Sequence, residues 1–466
     1  MARPKCAKAS PRLARILVVA SALVLTLAAP GRAAAQGLIR DAEIEQTLRA
    51  YGEPLWVAAG LDPADIDLYI VQDPSVNAFV AGGQNVFVHT GLIMAARTPN
   101  EIIGVLAHET GHIAGGHGAR RSQFASNQAM GPMLISLALG VLAIAGGEPA
   151  AGAALISGSQ QFAMSSFVQY TQAQESSADQ AGLSYLEATG QSGRGLISFF
   201  NQQIRPYEFM SRRMPPYMMT HPFASDRVEA LRRGVEASPH REAVETPEVM
   251  RRFLFMQAKL IGFIRTEPQT LSRYPLSDTS QPARYARAVA YYRVSDMAHA
   301  RAELEALIRE EPANPYYQEL MGQILFENGR AEESVAYHRR SVELAPSQPL
   351  LQINLARALR EARGRSGVDE SIDLLRTVTA REPDNAFAWR ELALARNERG
   401  EVALAELASA EQNFALGDYG MALSFAERAR RQLPRNTTDY QRAVDIITVV
   451  GNAARDRGRG PQRPGR

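Results

Sequence analysis

Two histidines with a glutamate between them carry the chemistry of this chain: Val105-Leu-Ala-His108-Glu109-Thr-Gly-His112-Ile reads H-E-x-x-H. On a helix, positions i and i+4 lie one turn apart on one face, so both imidazoles reach a single zinc ion. Glu109 then stands beside that ion, placed to take a proton from water as general base. The third ligand decides the kind of site. A third histidine six residues after His112 would complete one class, but that position is Gly118. His117 falls one residue early and reads as a surface residue or a support for a ligand. A site completed by a carboxylate needs one from another helix. Glu175-Ser-Ser-Ala178-Asp179-Gln-Ala-Gly182 supplies it, with Glu175 and Asp179 one turn apart among small residues that permit close helix packing. Glu175 is the expected third ligand. Asp179 would orient a ligand imidazole through its free N–H. One Zn2+ per chain is expected.

The elements that must position these groups are legible around them. Ile102, Ile103, Leu106 and Ile113 give the motif segment a buried face, and the helix begins near Pro99 and Asn100. Upstream, Ile66–Val71 and Asn77–Val88 alternate as strands do, with a turn or bulge at Gly82-Gly83. An edge strand there could align an extended substrate beside the metal by main-chain hydrogen bonds. Residues 131–158 are unusually apolar but are interrupted by paired glycines and Glu148-Pro149, and neither half reaches spanning length. The stretch reads equally as a hairpin making peripheral membrane contact or as a buried helical pair over the cleft.

Further on, the chain repeats. Pro312, Pro346 and Pro383 close successive helical units, 34 and then 37 residues apart. Within the units, Tyr317…Gly322…Phe326…Gly329…Ala331…Ala336 parallels Trp389…Leu394…Gly400…Ala403. A 34-residue period with small residues where paired helices meet resembles tetratricopeptide repeats, solenoids that present a partner-binding surface. The second unit carries a three-residue insertion near Arg363–Gly367.

Charge is unevenly distributed. The net charge of +2 hides six basic groups and no acid in residues 1–35, and five arginines against Asp456 alone in the last fifteen. Without these ends the body stands at −8 (+2 less +6 and +4), which argues against a nucleic-acid partner, since phosphate contacts need a basic face. The basic start precedes the apolar run Ile16–Ala29 and the small residues Ala33-Ala34-Ala35. That is the pattern of a secretory signal peptide cut after Ala35. The one cysteine, Cys6, would be removed with it. The expected organisation is a signal peptide at 1–35, a metallopeptidase domain at 36–247, a helical linker at 248–282, repeats at 283–451 and a disordered basic tail at 452–466. The expected fold class is an α+β zincin-like domain, mostly helical with a small sheet, followed by an all-α repeat solenoid.

Taken together, Asn77-Ala-Phe79…Gly83…Val86-Phe-Val88…Gly91-Leu92, the H-E-x-x-H motif, Glu175…Ala178-Asp179…Gly182 and Thr220-His221-Pro222…Asp226-Arg227 resemble the zinc metallopeptidases related to the heat-shock protease HtpX and the CAAX prenyl protease. The likeness covers roughly residues 40–235. It implies that His221 and Arg227 stand beside the zinc as catalytic groups. Either could donate to the oxyanion of the tetrahedral intermediate, or His221 could fill the open zinc position and hold the enzyme latent. Family members often carry arginine three residues before the ligand glutamate; here that residue is Gln172. With an export signal and C-terminal repeats, the resemblance is to periplasmic members of the group. Their substrates would be unfolded or misassembled proteins, and the repeats would dock the outer-membrane β-barrel assembly complex. The competing reading is a repeat scaffold or chaperone whose protease site is latched or vestigial.

Overall fold

A computed structural model describes residues 37–118, 120, 171–201, 221 and 225–458. The expected signal peptide, the apolar stretch 131–158 and residues 459–466 lie outside these. Asp41 opens the first helix, α1 (Ala42–Ala58), its carboxylate accepting from the backbone N–H groups of Glu43 and Ile44 at 3.0 Å. Four strands, β1 (Leu38–Ile39), β2 (Asp67–Val71), β3 (Ala78–Ala81) and β4 (Asn85–His89), form a mixed sheet in the order β1-β2-β4-β3. β2 and β4 run parallel with Ile70 opposite Val88, and β3 pairs antiparallel with β4. The hairpin between β3 and β4 turns through Gly82 and Gly83, whose φ values of 63° and 104° suit glycine. Among the described residues β3 is an edge strand.

The described helices that follow the sheet are α2 (Thr90–Ala95), α3 (Pro99–Ala114), the helix α4 over residues 171–188, α5 (Arg194–Phe199), α6 (Ser225–Ala237) and α7 (Pro247–Ile264). α3 carries the H-E-x-x-H motif. Proline at its first position costs nothing there, because that N–H would have no partner within the helix. Leu48 and Trp56 of α1, Ile70, Val86 and Val88 of the sheet, and Ile102, Ile103 and Leu106 of α3 meet in one core, so the motif helix is anchored along its apolar face.

The stretch expected as a linker forms α7 and α8 (Glu267–Arg273), and α7 has one face in each of two cores. Phe253, Met256 and Leu260 complete the core around α3, while Phe255 packs with Tyr285, Val289 and Tyr317 of the repeats. Lys259 lies between them, buried, with its Nζ 2.9 Å from Asp41, 3.4 Å from Glu43 and 3.4 Å from Glu319.

The remainder is helical: α9 (Gln281–Arg293), α10 (Met297–Glu310), α11 (Pro315–Glu327), α12 (Ala331–Leu344), α13 (Pro349–Arg363), α14 (Arg365–Arg381), α15 (Ala386–Arg399), α16 (Val402–Ala415), α17 (Tyr419–Gln432) and α18 (Thr438–Gly458). α11, α13 and α15 start 34 and 37 residues apart, the spacing of the prolines. Gly322 shows why these units need small residues, since a Cβ there would sit 2.8 Å from the ring of His338 on the paired helix. α18 runs to Gly458, past residue 452; Ala453-Ala454-Arg455 are strong helix formers and no proline intervenes. Among the described residues no helix is long and apolar enough to cross a membrane.

Candidate metal centre

The site is assembled by two helices that touch. On α3, the i, i+4 spacing brings the Nε2 atoms of His108 and His112 to 3.1 Å, with the rings edge-on and their centroids 4.7 Å apart. α4 crosses α3 at small residues: a Cβ on Gly111 would lie 2.7 Å from the carbonyl oxygen of Ala178, and one on Gly182 would lie 3.1 Å from Ala107. That closeness delivers Glu175. Its Oε2 stands 3.4 Å from His108 Nε2 and its Oε1 3.5 Å from His112 Nε2. His221 closes the group, with Nδ1 3.3 Å from His108 Nε2 and 3.0 Å from Glu175 Oε2. All four residues are buried, and one donor atom from each lies within 4.8 Å of every other.

These distances test the fit to a metal. Four ligands held about 2.05 Å from a tetrahedral zinc ion are separated by edges of about 3.3 Å. Five of the separations within the group run from 3.0 to 3.5 Å, with His108 and His221 facing Oε2 of Glu175 and His112 facing Oε1; one donor atom from each of the four residues lies within 4.8 Å of the others. Two imidazoles of the motif, a carboxylate and a third imidazole are also the N/O donors that zinc takes. The residues present fit a metal ion.

Outside this group, each motif histidine has its second nitrogen occupied. His108 Nδ1 is 2.8 Å from Asp179 Oδ1. Arg227 holds Asp179 in turn, donating from Nε at 2.7 Å and Nη2 at 2.9 Å, and its Nη1 lies 3.2 Å from Glu175 Oε2. His112 Nδ1 is 2.9 Å from His117 Nδ1. Burial pulls the His108 imidazole down, but Asp179 and Glu175 outweigh it and His108 is pushed up to about 10. Burial dominates at His112, which falls to about 3. Glu175 is held well below the usual carboxylate range, because His221, His108 and His112 together override its desolvation.

Glu109 is buried on α3 with Oε1 3.3 Å from His221 Nε2. It lines a cleft of about 770 Å³ together with His112, His221, Phe79–Ala81 of β3 and the Gly82-Gly83 turn. The edge strand therefore borders the metal group, and His221 Nε2 is 3.3 Å from the carbonyl oxygen of Ala78. Arg227 lines a hollow with Gln172, Ser176 and Asp179, and its guanidinium lies against the carboxylates of Asp179 and Glu175. His117 is the residue whose place the sequence did not specify. The Gly115-Gly116 pair after the motif was the available signal.

Comparison with known proteins agrees with this assembly. Residues 42–235 match the model of peptidase family M48, and residues 285–349 and 355–415 match a tetratricopeptide-repeat model. The chain is 26% identical over 387 residues to the beta-barrel assembly-enhancing protease of Yersinia pestis, covering 81% of this chain and 77% of that protein. It is 26% identical over 408 residues to the Escherichia coli (strain K12) protein of the same name, covering 85% and 80%. Over 180 residues it is 28% identical to the metalloprotease LoiP of Escherichia coli (strain K12), covering 38% and 64%.

Proposed function

We propose that the chain, whose residues 42–235 match the model of peptidase family M48 and are followed by tetratricopeptide-repeat matches, is an exported, periplasmic zinc endopeptidase acting in quality control of outer-membrane β-barrel proteins. One observation carries the reading: one donor atom each of His108, His112, Glu175 and His221 lies within 4.8 Å of the others, with Glu109 beside them. His108, His112 and Glu175 would hold one zinc ion, which when bound supplies Lewis acidity to water and to the scissile carbonyl. Glu109 takes the proton from the attacking water and returns it to the leaving amine. Asp179 keeps His108 in the tautomer that presents Nε2, and Arg227 balances the charge of Asp179 and Glu175. β3 offers its edge to an extended segment of substrate, which suits unfolded or misassembled chains. The repeats dock the β-barrel assembly complex, a role supported by the names of the relatives.

His221 is the restraint in this scheme. Its Nδ1, 3.0 Å from Glu175 Oε2 and 3.3 Å from His108 Nε2, supports a latch in which His221 would fill the open metal position of the resting enzyme. The second reading, a repeat scaffold with a permanently latched site, is favoured by the same contact. Metal analysis and casein cleavage separate them. The purified protein should hold about one zinc per chain, and Glu109→Gln should keep it while abolishing cleavage. A Glu109→Gln protein that cleaves like the wild type sinks the mechanism. His221→Ala should raise basal proteolysis of an unfolded substrate. A fall of roughly 10²–10³ instead makes His221 an oxyanion donor, and no cleavage by any variant favours the scaffold.

A further inference from the structure

We propose that His117 is a positioning residue for His112: its imidazole accepts the Nδ1–H of His112 and so fixes the tautomer and tilt with which His112 presents Nε2. The proposal rests on the reading of His108, His112 and Glu175 as the ligand set. A metal-binding imidazole uses one ring nitrogen and donates the N–H of the other, and that second bond sets its orientation and basicity. At His108 the acceptor is Asp179. At His112 the group in the equivalent place is a second imidazole, with His117 Nδ1 2.9 Å away, the rings at 78° and their centroids 5.0 Å apart. Both residues are buried. Two ring nitrogens at that distance share one hydrogen. If Nε2 of His112 faces the ion, its Nδ1 carries the hydrogen and His117 Nδ1 offers the lone pair, so His117 is the neutral, Nε2-protonated tautomer.

The backbone is shaped to return that ring. α3 ends at Ala114, Gly116 takes the left-handed φ of 59°, and the chain folds back until the His117 ring lies against Gly115. A Cβ on Gly115 would be 2.4 Å from His117 Nε2. Gln174, beside Glu175 in sequence, donates from Nε2 to the His117 carbonyl oxygen at 3.4 Å, tying the turn to the helix of the third ligand. Charge explains why the acceptor is an imidazole. Glu109, Glu175 and Asp179 are buried here with Arg227, and a divalent ion makes the positive and negative charges equal. A neutral acceptor preserves that balance, whereas another carboxylate would leave a buried charge unpaired.

Zinc affinity of the full-length protein, measured by competition with a chromophoric chelator, tests this. His117→Phe keeps a ring of similar size and removes the acceptor, so its zinc Kd should rise roughly 10–100-fold. Its cobalt-substituted form should retain the absorption of a four-coordinate site. His117→Gln keeps an acceptor oxygen and should restore most of the affinity. His117→Phe binding zinc as tightly as wild type would make the side chain a filler and overturn the proposal. Complete loss of zinc in both variants, matching Glu175→Ala, would make His117 a ligand and overturn it equally. A wild-type chain that binds no zinc overturns the ligand set itself, and this proposal with it.

Discussion

Gly111→Ala tests whether the contact between α3 and α4 sets the geometry of the metal site. The added Cβ would lie 2.7 Å from the Ala178 carbonyl oxygen and 2.9 Å from its Cα, both backbone atoms of a neighbouring helix. Ordinary contact starts at 3.4 Å, so the helices must part by about 0.7 Å, and no side-chain rotation relieves the clash. Gly111 adjoins His112, and Ala178 lies one turn from Glu175. If the side chains follow their backbones, the 3.5 Å edge between His112 Nε2 and Glu175 Oε1 grows to about 4.2 Å, well beyond the tetrahedral edge of about 3.3 Å. We expect zinc binding to weaken roughly 10–100-fold, the range that disturbances just outside a metal's ligands produce, with an overpacking cost of about 1–3 kcal/mol in the metal-free protein. Chelator competition gives the first quantity and thermal unfolding in EDTA the second. Gly451→Ala is the control, because a Cβ there meets nothing within 4 Å and the change should leave zinc affinity alone. A folded Gly111→Ala protein with wild-type zinc affinity would refute the reasoning.

Three further outcomes concern the joint between the peptidase core and the repeats. Lys259→Met strands Asp41, Glu43 and Glu319 in a buried site and should cost roughly 3–5 kcal/mol of stability, read from urea unfolding; an unchanged midpoint counts against a buried ion cluster. Burial pushes Glu43 up to about 7, despite Lys259. Its folded value exceeds its unfolded one, so the stability it contributes is present below about pH 4.5 and is lost as pH rises through about 7, and unfolding midpoints at fixed ionic strength should fall across that window. A repeat fragment starting at Thr246 should melt higher by circular dichroism than one starting at Ala283, because the shorter piece loses Phe255 and Phe263 from the first repeat core. Equal melting of the two would place the boundary where the sequence alone suggests it, at residue 283.

What could be read from the sequence was local or periodic. The i, i+4 histidines needed only helical geometry, and Ala178 and Gly182 announced a close helix contact because small residues leave little else to do on a buried face. The strands around Gly82-Gly83 followed from alternation, and the repeat starts at 315, 349 and 386 from proline spacing. The double duty of α7 was harder to see. Its sequence, Val249-Met-Arg-Arg-Phe-Leu-Phe-Met-Gln-Ala-Lys-Leu-Ile, is apolar on more than one side. That is the mark of a helix buried between two bodies, yet flanking prolines made it look like a connector.

Arg227 and His117 show where one-dimensional reading stops. Arg227 lies six residues from His221, and proximity in sequence suggests a shared task at the cleft. The decisive quantity is instead the cost of burying charge. A guanidinium taken out of water must meet carboxylates in good geometry, and Asp179 offers a bidentate pairing at 2.7 and 2.9 Å. That same Asp179 lies 2.8 Å from His108 Nδ1, so the arginine supports the carboxylate that faces a motif histidine. His117 has the converse history: its spacing rules it out as the third ligand of a three-histidine site, and only the left-handed turn at Gly116 turns that misfit into a partner for His112. In both cases the residue type was visible, and its use depended on which buried atom still needed a hydrogen bond or a counter-charge.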